Sequence, residues 1–221
     1  MTVIFVILTF AVFLTVDYIL HRKNQPAVSP LDAEGLATHG AEEIIDGFHF
    51  PSKLRYHMGH TWLNRERKNV HRVGADEFAA ILAGPVDRIE LPKPGTWVRQ
   101  GQRAVALYRG EEKIELVSPI EGEVVDVNAE LMSKPEVLRN DPYGEGWLMT
   151  VFAPDEEAPS HNLLPQGLLR TWIRDAAEGF FGMQQRMGLA SAADGGRPLK
   201  NATENLPVEV WKEAARRFLL N

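Results

Sequence analysis

From Lys53 to Phe152 the chain alternates short β-forming runs with turn sequences, and that spacing leaves little choice of fold. The runs cover residues 61–63, 86–91, 103–108, 113–117, 123–127 and 147–152. Pro92-Lys93-Pro94-Gly95, Arg99-Gln100-Gly101-Gln102, Gly110-Glu111 and Ser118-Pro119-Ile120-Glu121-Gly122 separate them. Glycine and proline supply the backbone angles that tight reversals need. Strands this short, with turns this frequent, predict a small sandwich or barrel. One helix interrupts them over residues 76–82, closed near Gly84-Pro85.

After Pro154 the period changes from two to that of a helix. Leu168, Leu169, Trp172, Ile173, Ala176 and Phe180 predict a helix over about residues 165–188, opened by Pro165. A polar turn at residues 193–198 separates it from a second helix over about 207–220. There Val208, Trp211, Ala215 and Phe218 form the apolar stripe, with Glu209 early and Arg216 and Arg217 late, as the helix dipole favours. Such stripes either cap the β domain or each other, or they dock a partner or lie on the membrane surface. In the docking alternative, Trp172, Trp211 and Phe218 are the anchors, because large aromatic side chains dominate interface energetics.

Residues 3–20 read VIFVILTFAVFLTVDYIL, interrupted only by Thr9, Thr15, Asp17 and Tyr18. An apolar helix of that length just crosses a hydrocarbon core. No basic residue precedes the run and His21-Arg22-Lys23 follows it, which argues against a cleaved signal peptide. The expectation is a single-pass membrane protein whose C-terminal part is cytoplasmic, since positive charge accumulates on that side. The organisation expected is a transmembrane anchor at 1–23, a linker at 24–52, a β domain at 53–157 and a helical extension at 158–221.

The 221 residues contain no cysteine, which excludes a disulfide framework, a cysteine-ligated metal and a thiol nucleophile. The formal net charge of −6 gives no reason to expect nucleic acid as a partner. His57 and His60 stand three apart on an expected strand, where such residues face opposite sides, so no metal site is expected from them.

Five motifs of the β region, in order, resemble the H protein of the glycine cleavage system. Tyr56-His57-Met58-Gly59-His60-Thr61-Trp62-Leu63 resembles that family's opening strand, and residues 73–79 (VGADEFA) its first helix. Residues 90–98 (ELPKPGTWV), 118–128 (SPIEGEVVDVN) and 141–148 (DPYGEGWL) are similar to its further signatures. The resemblance covers about residues 54 to 155. It implies a mainly β fold, a lipoyl-domain-like flattened barrel or barrel-sandwich hybrid. It also implies a lysine at a hairpin tip that carries lipoate in ordinary members.

In the family that lysine lies seven residues before the serine of the SP pair. Seven before Ser118 is Glu111, and a carboxylate cannot form the amide that attaches lipoate. Lys113 is the nearest amine, expected on the outward side of a strand, off the apex. The expectation is therefore no bound cofactor. The function expected is a non-catalytic, membrane-anchored H-protein-like assembly subunit, with the bilayer and other proteins of a membrane complex as partners. A first alternative is an H-type carrier using lipoate on Lys113. A second is a membrane-fusion-type periplasmic adaptor. Such adaptors split a lipoyl-like fold around a coiled-coil hairpin, and no heptad run interrupts residues 54 to 155.

Overall fold

A computed structural model of the chain describes residues 42–155, 162–189, 203–204 and 206–220. Residues 3–20, the expected anchor, lie outside the described residues, as does the turn expected at 193–198.

The described chain opens with an antiparallel hairpin of β1 (Glu42–Ile45) and β2 (Phe48–Pro51). Residues 42–51, within the stretch expected as a linker, therefore form a hairpin. Asp46 and Gly47 both take positive φ, the conformation that two-residue hairpin turns demand. The hairpin buries Ile45, Phe48 and Phe50.

Two further sheets follow. One has six strands in the order β3 (Arg55–His57), β4 (Thr61–Arg67), β5 (Val70–Ala75), β11 (Trp147–Phe152), β10 (Gly122–Val127) and β7 (Trp97–Val98). The other has three, in the order β6 (Arg88–Glu90), β8 (Arg103–Arg109) and β9 (Glu112–Val117). Every pairing is antiparallel. Gly74 in β5 lies so close to Trp62 that a Cβ would come within 2.3 Å of the indole. That indole is buried, and its Nε1–H donates to the Pro142 carbonyl at 3.1 Å.

Helix α1 (Glu77–Ala83) begins where Asp76 accepts a hydrogen bond from the Ala79 amide, as an N-cap should. Short α2 (Glu130–Ser133) and α3 (Val137–Asn140) precede β11. The two C-terminal helices fall where periodicity places them, as α4 (Gln166–Arg186) and α5 (Val208–Phe218). Each starts directly after a proline, Pro165 and Pro207, which has no amide hydrogen to leave unpaired.

These helices cap the β domain. The main core gathers the hairpin β1–β2, α1, the inner side of β6, β8 and β9, and the apolar stripes of α4 and α5. Phe78, Phe180 and Phe218 meet edge to face, with centroids 5.4 to 6.3 Å apart. Trp211 is wholly buried and Phe218 nearly so. Their proposed role as partner anchors is therefore corrected: a side chain whose surface is already spent on the core has none left for another protein. Trp172 is half-buried and stacks on His60 at 4.2 Å. A second, smaller cluster lines the six-stranded sheet with Leu63, Val73, Val98, Val124, Met149 and Val151.

Candidate functional site: the hairpin tip between β8 and β9

The register of β8 on β9 pairs Leu107 with Ile114, Tyr108 with Lys113 and Arg109 with Glu112. Gly110 and Glu111 are left as a two-residue loop. Gly110 takes φ +59, and its amide donates to Asp87 Oδ2 at 2.7 Å. The free carboxylate of Glu111 stands exposed at the apex. The expected turn and the expected apex residue thus coincide in space.

Lys113 alternates outward while Ile114 and Leu116 point into the core. Its Nζ donates to Glu115 Oε1 at 3.0 Å, and that hydrogen bond raises its pKa above the usual lysine range. Beside it, Tyr108 donates to Glu90 Oε2 at 2.7 Å, and this bond holds the phenol above its ordinary value. The Arg88 guanidinium covers the Tyr108 ring at 3.8 Å.

The other side of the loop is tied to the C-terminal helix. Arg109 reaches back under α5, where its guanidinium stacks on the Trp211 ring at 4.6 Å. It donates to the carbonyls of Ala83 at 2.8 Å and Thr203 at 3.3 Å. The Ala83 carbonyl ends α1, where a cation is favoured by the helix dipole. Trp211 Nε1–H donates to the same carbonyl at 3.0 Å. Burial lowers the Arg109 pKa, although the group stays charged at neutral pH. Lys212 forms an ion pair with Glu112. Sequence reasoning missed these contacts, because about a hundred residues separate Arg109 from Trp211 and no local pattern links them.

A buried pair sits at the N-terminus of α1, the end away from the hairpin contact at Ala83. His60, in the β3–β4 turn with φ +58, places Nδ1 2.8 Å from Asp76 Oδ2. Its ring is stacked between Phe78 at 4.3 Å and Trp172. His57 lies nearby, and its Nδ1 accepts from the Gly59 amide at 3.1 Å. Among the described residues, no group of three or more histidines and carboxylates converges as a metal site would require.

The apex can be tested against lipoate on its chemistry alone. Position 111 does not fit, since a carboxylate cannot accept the acyl group. Lys113 has the right functional group, on the strand flank rather than at the tip.

Two antiparallel sheets, each lined by its own apolar cluster, with a tight hairpin at β8–β9 in the smaller one, make this a lipoyl-domain-like β module. The family described as "Glycine cleavage H-protein" matches residues 54–175, more than half of the 221 residues. A glycine cleavage system H protein of Klebsiella pneumoniae is 35% identical over 106 residues, 48% of this chain and 82% of the relative. One from Alteromonas mediterranea is 38% identical over 105 residues, 48% of this chain and 81% of the relative. A crystal structure of a glycine cleavage system H protein from Mycobacterium marinum superposes with a TM-score of 0.44 and 26% identity. It covers 48% of this chain and 87% of that one. The chain belongs to the glycine cleavage H-protein family, whose members serve as carrier subunits rather than catalysts. The match extends to residue 175, into α4 and beyond the domain end expected at 157.

The expected localisation is corrected by these findings. The relatives are glycine cleavage H proteins, and among the described residues no helix is long and apolar enough to cross a membrane. The longest described helix, α4, fails because Arg170, Arg174, Asp175, Glu178 and Arg186 interrupt it.

Proposed function

We propose that this protein is a non-catalytic H-type subunit of a group-transfer system related to glycine cleavage, acting as a binding scaffold for partner proteins rather than as a loaded carrier. One observation carries the reading. The hairpin keeps its turn but presents Glu111 at the apex, and α5 holds both of its flanks through Arg109 and Glu112. A carrier arm needs an amine at the tip and freedom to move between sites; this tip offers a carboxylate on an anchored loop.

Kinship favours a second reading, in which the protein carries a group on lipoyl-Lys113. The exposure of Lys113, two residues past the apex, supports it. Intact-mass spectrometry of the full-length protein, purified from cells supplied with lipoate, separates the two. An unmodified mass is the result expected. A lipoyl addition localised to Lys113 overturns the scaffold reading and establishes the carrier.

A further inference from the structure

A pocket of about 200 Å³ opens between β9 and helix α5, lined by Arg103, Lys113, Ile114, Lys212 and Arg216. Four cationic side chains from three elements converge there on a chain whose formal net charge is −6. Like charges repel, so a fold gathers them only where something opposes the repulsion.

Two carboxylates do so in part. Glu115 lies 3.0 Å from Lys113 Nζ and 3.7 Å from Arg103 Nη1, and Glu112 pairs with Lys212. Two positive charges remain in excess. Arg216 has no ion-pair partner among the described residues and lies one helical turn beyond Lys212, on the same face of α5.

We infer that this pocket is a binding site for a small phosphate-type dianion, either free or as a phosphate monoester. A dianion matches the excess of two charges. Its oxygens can accept from several cations at once, and a guanidinium offers the paired donors that suit phosphate. A carboxylate would leave one charge uncompensated. The volume falls below the roughly 300–1,000 Å³ of pockets that take drug-sized ligands, so the ligand is small. The net acidity of the chain argues against extended polyanions, which need a broad basic face. This inference rests on geometry and charge and on neither reading of the hairpin.

The test is calorimetric titration of the full-length protein, after its mass shows no lipoyl addition. Inorganic phosphate and glycerol 3-phosphate are titrated separately, with ionic strength held constant by sodium chloride. One saturable site per chain is expected, with a Kd on the order of 1 mM or tighter. Arg216→Gln and Arg103→Gln, both at exposed side chains, should each weaken binding about fivefold while leaving the circular dichroism spectrum unchanged. Equal affinity for the two probes identifies free phosphate as the ligand; tighter binding of glycerol 3-phosphate identifies a monoester. The inference is overturned if neither probe gives saturable heat, or if both variants bind as tightly as the parent protein.

Discussion

Trp211→Ala separates core from interface most sharply. The side chain has no exposed surface, stacks against Arg109 and donates to the Ala83 carbonyl. A buried tryptophan removes about 150–250 Å² from water, which at about 25 cal/mol per Å² is worth about 4–6 kcal/mol. Alanine recovers part of that, and the cavity left behind adds a cost, so truncation should cost about 3–5 kcal/mol. Removing the indole also leaves the Arg109 guanidinium against a void, which places the effect at the upper end. Domains of this size are stable by only about 5–15 kcal/mol. Equilibrium urea unfolding, followed by circular dichroism, should therefore show a midpoint lowered by about 2 M for a slope of about 2 kcal/mol per M. Trp97→Ala is the control. That side chain is 48% exposed, and its Nε1–H reaches only Glu121 at 3.3 Å. It should cost less than about 1 kcal/mol. The reasoning fails if Trp211→Ala costs under about 1 kcal/mol, for then the indole is not part of the core.

Other substitutions probe the backbone and the buried polar groups. Gly110→Ala meets no atom within 4 Å but must adopt φ +59, so a loss of about 1 kcal/mol in urea unfolding is expected. Gly74→Ala drives a methyl into the Trp62 indole and should cost about 3 kcal/mol or more, read as lost soluble yield or a collapsed unfolding midpoint. Asp76→Ala removes both the cap of α1 and the partner of buried His60; about 2–3 kcal/mol should be lost by the same measurement. Burial lowers the pKa of His57, and burial with the nearby Arg65 charge lowers that of His71. The unfolded chain then binds more protons than the folded one near and below pH 6.5. Stability should be fully present above that pH and fall as it is lowered toward 5. Urea unfolding at several pH values checks this, and His71→Leu should flatten the slope.

The sequence alone carried the β character, because glycine and proline at the turns act within a few residues of themselves. Helical periodicity placed α4 and α5 within a residue or two for the same reason. The apex residue came from the resemblance to the H-protein family, which puts the lipoyl position seven residues before Ser118, and the β8–β9 register leaves that residue, Glu111, in the loop. Locally ambiguous segments were less legible. Val73-Gly74-Ala75 fell within the stretch 73–79 that resembles the family's first helix but forms the end of β5, because pairing with β4 and β11 outweighs its weak propensity. The hairpin β1–β2 read as a linker because its stability comes from burying Phe48 and Phe50 against distant elements.

What only the tertiary structure decided is where the apolar stripes of α4 and α5 are spent. A stripe in sequence shows that a helix must cover something, and not what. Packing against Phe78 and Arg109 turned Trp211 and Phe218 from candidate docking residues into core. It also brought Lys212 and Arg216 to face Arg103 and Lys113 across about a hundred residues of chain. Charge and burial of that kind depend on distance in space, which a linear chain does not record until its sheets and helices have closed on one another.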